Sequence, residues 1–360
     1  MKLTNKLLFL SALLSISVTA CNGGEPEPEK EPDNTVDVFF LSGQSNMEGS
    51  TFFDNGKDWL KKACEKLQID STPMFDGYQN ILMSSYGYYP YGGSDLPHAT
   101  YPKKDENGKN YTDSEYKKLA LQGYFVPTKV GQGNTDNYMG PEIGIAHILK
   151  DYATSERPIY LIKCAFSGSG FANSSPNWAH DNTFNGYNAN NNLYETYFKP
   201  FIDNNLKIIE EEVGRTPVIK GFLWHQGESD AGSNTYAKDL GSLVERFRAD
   251  YEDYAPDQDG QNIPFVDGYI YDGPRSPYGA DQDLVVNQQK DLLAQEKENN
   301  YVINTSYHHD DGQEQMKLNI NPDRGDVEGG VDNYHYKTYD CVRLGMAYGQ
   351  VIVDNGFLDL

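Results

Sequence analysis

Cysteine is scarce in this chain, and no spacing among its four cysteines suggests a zinc site. Cys21 stands near the N-terminus. That leaves Cys64, Cys164 and Cys341, an odd number, so at least one thiol is free or pairs between chains. Cys164 and Cys341 lie in apolar runs and read as buried small hydrophobes. Positive charge is also short. Thirty basic residues against 53 acidic ones give a formal net charge of −23. Phosphate binding needs clustered positive charge, so nucleic acid is not expected as a partner. The run His308-His309-Asp310-Asp311 resembles a metal site only superficially, because adjacent side chains on an extended segment point opposite ways. It reads as a polar loop, and no metal or cofactor is expected. Internal repeats and a second linker are absent too.

The apolar stretch Leu7 to Val18 follows Lys2 and Lys6 and is too short to span a bilayer, so residues 1–20 read as a signal peptide. Val18-Thr19-Ala20-Cys21 resembles a bacterial lipobox, which implies a lipid on Cys21 and a membrane anchor. Residues 21–35 are rich in Pro and Glu and cannot bury enough surface to fold; they form an acidic tether. The expected location is therefore that of an exported lipoprotein of the outer membrane, facing the cell surface or the periplasm.

Five apolar runs read as strands: 36–41, 159–165, 218–224, 263–271 and 301–306. Helix-like stretches lie near 142–152, 193–213, 234–254, 281–297 and 338–353. Such alternation implies an α/β domain over 36–360, a three-layer sandwich around a parallel sheet of about five strands. Residues 50–139 are far longer than an ordinary βα connection and read as an insertion. It is rich in Tyr and Gly, with Tyr78, Tyr86, Tyr88, Tyr89 and Tyr91. A second loop runs from Trp178 to Tyr194. Aromatic faces and amide side chains suit sugar rings, so the two loops together suggest a glycan platform, although any single tyrosine could equally pack the insertion onto the domain.

The most informative segment is Gly43-Gln44-Ser45-Asn46-Met47, at the end of the first strand. Strand ends of this kind carry ligands in α/β sheets. A serine there needs a base, and His335 is a candidate, with Asp332 three residues before it as the acceptor that would orient the ring. Trp224-His225-Gln226-Gly227-Glu228-Ser229-Asp230 follows another strand. Gln226 offers a side-chain N–H of the kind used in oxyanion holes, and Glu228 could orient His335 in place of Asp332. Asp230 reads as the N-cap of the next helix. His225 either touches substrate or is a structural histidine. Phe166-Ser167-Gly168-Ser169 could bring a backbone N–H to the same place.

Together these blocks resemble the SGNH hydrolase superfamily, and within it the carbohydrate-esterase branch of sialate O-acetylesterases and family 6 acetyl xylan esterases. Gly-Gln-Ser-Asn-Met and Trp-His-Gln-Gly-Glu-Ser-Asp carry the resemblance, with Gly140-Pro141-Glu142 and Asp332-x-x-His335 in the right order. The resemblance implies a flavodoxin-like sheet and a serine esterase acting on an acetylated glycan. It implies Ser45 as nucleophile, His335 as base and then acid, and Asp332 or Glu228 as the third member. The Ser45 and Gly168 backbone N–H groups and the Gln226 side chain would form the oxyanion hole. Gln44, Asn46 and His225 would contact substrate. Two departures stand out: Ser167 and Asn333 occupy positions where the family often has glycine.

Overall fold

Phe39 and Leu41 point to one side of the first strand and Val38 and Phe40 to the other, and all four are fully buried. A strand hidden on both faces belongs inside a parallel sheet. The computed structural model describes residues 34–54, 56–88, 96–171, 177–180, 192–274, 276–307, 318 and 334–358. The signal peptide, the tether with Cys21 up to Asp33, the His308–Asp311 run and Asp332 lie outside the described residues; Thr35, expected to end the tether, already belongs to the first strand.

The first strand is β1 (Thr35–Gly43), followed by α1 (Ser45–Glu48), β2 (Thr51–Phe52), α2 (Trp59–Leu67) and α3 (Thr72–Asp76). Next come β3 (Tyr78–Tyr88), β4 (His98–Ala99), α4 (Asp113–Ala120), β5 (Val126–Thr128), β6 (Tyr138–Met139) and α5 (Glu142–Leu149). Then follow β7 (Ile159–Phe166), α6 (Lys199–Lys207), β8 (Thr216–His225), α7 (Tyr236–Asp250), β9 (Phe265–Gly268), α8 (Ala280–Glu296), β10 (Asn300–Ile303) and α9 (Thr338–Asp354).

The main sheet runs β10-β9-β8-β1-β7-β3-β4, with β5 also on β3. From β10 through β3 every pairing is parallel; β4 and β5 are antiparallel additions. The five strands expected from the sequence are β1, β7, β8, β9 and β10, and their order is that of flavodoxin. The chain reverses direction across the sheet between β7 and β8, so the crevice for a ligand lies at the carboxyl end of β1. Residues 50–139 are not a loop insertion on a finished sheet. They supply β3, a sixth parallel strand, with Ile81 paired to Ile159 and Gly87 to Ala165.

Helices cover both faces. On one, α6, α7 and α8 bring Phe201, Leu243, Phe247 and Val286 against Phe40, Phe222 and Trp224. On the other, α2, α5 and α9 bring Leu60, Ile143, Leu344 and Ile352 against Phe39, Leu41 and Leu161. Cys64, Cys164 and Cys341 are free thiols, all buried.

Candidate active site

β1 and β8 touch where they end. A Cβ on Gly43 would lie 2.1 Å from the His225 carbonyl oxygen, and Gly43 has φ +138°. Only glycine fits this approach. The next amide, Gln44 N, donates to that carbonyl at 3.0 Å. The chain then turns into α1, whose first residue is Ser45, 7% exposed, and Gly49 closes the turn in the left-handed region. Met47 N and Glu48 N close the turn on the Gln44 carbonyl at 2.9 and 2.8 Å, which leaves the Ser45 N–H as the candidate oxyanion donor.

Asn46 ties three parts of the chain together. Its Nδ2 donates to Glu228 Oε1 at 2.6 Å and to the Tyr334 carbonyl at 3.3 Å. Its Oδ1 accepts from Tyr336 N at 3.3 Å. The candidate nucleophile, the acid after β8 and the segment carrying His335 are thus held by one side chain. Glu228 is buried, and its Oε2 has no hydrogen-bond partner among the described residues. Burial pushes the Glu228 carboxyl up; the Asn46 hydrogen bond and the charges of Lys290 and His335 oppose this. His335 itself is half-buried.

The Ser167–Ser169 turn is pinned from two sides. Ser167 donates its N–H to Glu48 Oε2 at 3.0 Å and its hydroxyl to the same oxygen. Ser169 Oγ lies 3.3 Å from the Gly43 carbonyl and accepts from Trp178 Nε1 at 2.8 Å. Between them Gly168 has φ +71°, a left-handed conformation suited to glycine. Ser167, a departure from the glycine the family often has, serves as the anchor to Glu48.

Glu48 is a residue the sequence reading missed. It sits one turn after Ser45, fully buried, and a Cβ on Gly87 would lie 2.6 Å from its Oε1. Burial pushes its carboxyl up to about 7, against the Ser167 hydrogen bonds and the charges of Lys163 and His335. Lys163, also buried, donates to the Glu48 and Gln132 carbonyls at 2.9 and 3.0 Å and faces Glu142 Oε2 at 3.1 Å. The Gly140-Pro141-Glu142 block therefore braces the nucleophile turn through a buried ion pair. A buried acid in Ser-Asn-Met-Glu-Gly and a lysine inside an apolar strand were the available signals.

Several expected contacts are internal struts instead. Gln44 Oε1 accepts from Gln226 Nε2 at 3.2 Å, Gly227 N at 3.4 Å and Ser229 N at 3.3 Å. Gln226, fully buried, directs Nε2 to Gln44, to the Ser169 carbonyl and to Asp230 Oδ2. Its two N–H bonds already face three acceptors, so in this arrangement the amide is not open to an oxyanion. His225 is the structural histidine of the two readings: it is fully buried with Nδ1 3.3 Å from the Tyr348 hydroxyl. Burial, with help from Lys290, holds its pKa well below the ordinary value. Asn46 likewise turns inward. Asp230 does not cap α7, whose N-cap position is Thr235; it accepts from Phe171 N at 3.0 Å and from Gln226. Tyr78, Tyr86, Trp178 and Tyr194, from the two loops expected to form a glycan platform, are core residues; the Tyr88 side chain, Tyr89, Tyr91 and residues 181–191 of those loops lie outside the described residues.

Residues 124–354 match the model of a family described as carbohydrate esterase, sialic acid-specific acetylesterase. The match takes in Gly168, Glu228 and His335 and begins after Ser45. No curated protein matches the chain. Several solved structures are similar, among them the following three. The crystal structure of NanS is 13% identical with a TM-score of 0.51, over 90% of this chain and 98% of that one. A protein from Arabidopsis thaliana is 19% identical with a TM-score of 0.49, over 90% and 99%. A carbohydrate acetylesterase from Xanthomonas citri is 14% identical with a TM-score of 0.45, over 88% of this chain and 56% of its own. The likeness to NanS is one of fold.

Proposed function

The chain belongs to the carbohydrate esterase family of sialic acid-specific acetylesterases, and from that premise we propose that it removes O-acetyl groups from a carbohydrate by serine catalysis. The carbohydrate is a hemicellulose of the xylan type or a sialic acid. Ser45 Oγ attacks the acetyl carbonyl carbon while its proton passes to His335. The developing oxyanion is met by the Ser45 backbone N–H and the backbone at Gly168. His335 then gives the proton to the departing sugar oxygen, leaving acetyl-Ser45. A water molecule loses a proton to His335, attacks the acyl carbon and releases acetate, and the proton returns to Ser45.

The observation that supports this reading most is the Asn46 clamp, which unites the nucleophile turn, Glu228 and the backbone on either side of His335. Glu228 gains weight as the group that orients His335, because one of its oxygens is buried without a hydrogen-bond partner and its charge interacts with His335. Asp332, three residues before His335, is the other candidate for that role.

The test is acetate release from acetylated xylan and from O-acetylated sialic acid by the protein and its Ser45→Ala variant. The expected outcome is release from at least one substrate, reduced at least about 10³-fold in the variant. Full activity in Ser45→Ala would sink the mechanism. Glycan binding without any acetate release would identify a binding lipoprotein instead.

A further inference from the structure

Large apolar side chains are exposed at few places: among the described residues, Tyr124, Val213, Tyr278, Leu292, Tyr307 and Tyr334. Three of these six lie on segments at the carboxyl side of the sheet. Tyr278 lies on the loop from β9 to α8, Tyr307 follows β10, and Tyr334 precedes His335. All three follow the carboxyl ends of strands or sit beside the candidate base, on the side of the sheet where Ser45 stands. They also come in edge-to-face pairs. Tyr278 and Tyr334 have centroids 5.8 Å apart at 68°, and Tyr271 and Tyr307 6.2 Å apart at 67°.

Exposed aromatic side chains that cluster beside a reaction centre mark a binding site. Tyr334 is also fixed with respect to the reaction centre. Its carbonyl accepts from Asn46 Nδ2 at 3.3 Å, and its ring centroid lies 6.5 Å from that of His335. Tyr278 is set by a tight turn: its N–H lies 3.3 Å from Ser276 Oγ, and Gly279 N donates to the Ser276 carbonyl at 3.2 Å. Two rings at a steep angle form a corner, and Tyr278 and Tyr334 are 37% and 41% exposed as residues.

A pyranose ring presents an apolar CH face and a rim of hydroxyls, and the CH face suits an aromatic surface. We propose that Tyr278 and Tyr334 form a sugar-stacking subsite that seats a pyranose ring of the acetylated glycan beside His335. This rests on the carbohydrate esterase reading and extends it. The corner discriminates a glycan ester from a simple one.

The test compares kcat/KM for acetylated xylan and O-acetylated sialic acid with that for ethyl acetate, which has no ring. In Tyr334→Ala and Tyr278→Ala the ratio of glycan to ethyl acetate is expected to fall about tenfold, through KM, and Tyr334→Phe is expected to preserve it. A purely structural role would lower both substrates together and leave the ratio unchanged, which would overturn the subsite. An unchanged ratio with unchanged rates would overturn it equally. Glycan binding to the Ser45→Ala protein separates this inference from the catalytic reading. An affinity for acetylated xylo-oligosaccharide or acetylated sialic acid that falls about tenfold with Tyr334→Ala supports the corner even if ester hydrolysis fails. An affinity untouched by both alanine variants removes it.

Discussion

Asn46 carries more of the site than its position beside a serine suggests. Its amide bridges Glu228 and the Tyr334 carbonyl, so replacing it leaves a buried carboxylate oxygen without a donor and frees the segment before α9. Asn46→Ala is expected to lower kcat about 10- to 100-fold with a smaller change in KM, since supporting contacts of this kind carry effects of that size in orienting active groups. Asn46→Asp would set a second carboxylate against Glu228 and cost more. Steady-state kinetics on an acetylated glycan, with folding checked by circular dichroism, decide it. An unaltered kcat in Asn46→Ala would remove the clamp from the mechanism. Ser45, Glu228 and the His335 segment stand out as candidates in the sequence because each lies just after a strand or before a helix in a short polar block. Gln44, His225 and Gln226 stand in the same blocks, and their side chains are buried and hydrogen-bonded within the protein. A motif shows that a polar residue is near the site, and it does not show whether the side chain turns toward solvent or into the protein. Glu48 left only a faint signal in the sequence, because its burial depends on β3, which brings Gly87 against it.

At the level of elements, the sequence displayed strands where apolar runs are continuous and hid the one where they are not. In β3 only Ile81, Leu82 and Met83 form such a run, followed by Ser84 and Ser85. Both serines are buried and bonded to the crossing segments: Ser84 Oγ accepts from Tyr124 N at 3.0 Å, and Ser85 N donates to Thr100 Oγ1 at 2.9 Å. Polar residues can fill an interior strand when neighbouring chain satisfies them, and no local pattern reports that. The α5–α9 contact makes a complementary point. A Cβ on Gly144 would lie 2.2 Å from the Val342 carbonyl oxygen, and one on Gly345 2.0 Å from that of Pro141. Glycine within a helix ordinarily costs about 1 kcal/mol relative to alanine, so Gly345→Ala on an open face would stabilise. Here the added methyl meets backbone that cannot swing aside. Gly345→Ala is expected to destabilise by about 2 kcal/mol or more, read as a lower midpoint in urea. It should also slow acetate release, because α9 begins three residues after His335. A neutral or raised midpoint would show that the two helices can separate freely.

For the whole molecule, two sets of buried and half-buried groups set the pH dependence, and they oppose each other. Glu48 and Asp283 are both pushed up to about 7, chiefly by burial. Each holds a proton in the folded state that the unfolded chain has given up, so its contribution is full below the ordinary carboxylate range and is lost as pH rises toward 7. The histidines behave oppositely. His225, His98 and His147 are held below the ordinary value, first by burial, so the unfolded chain takes up protons that the fold refuses, and stability falls as pH drops through about 6.5. Wild-type stability against pH is therefore a shallow sum, and a difference between variants is the sharper probe. Glu48→Gln removes one buried charge without changing the shape. Relative to wild type it is expected to gain stability at pH 8, on the order of 3 kcal/mol at most for a carboxyl moved from 4.5 to about 7, and the gain should shrink toward zero near pH 4.5. Urea unfolding of both proteins at pH 8 and pH 5 reads this directly; a gap equal at the two pH values would take Glu48 out of the account. The charge that costs stability at pH 8 is the acceptor for the Ser167 N–H and hydroxyl, beside Gly168. Glu48→Gln should thus be the more stable protein and the slower esterase, because the amide holds that turn with a weaker acceptor than the carboxylate does.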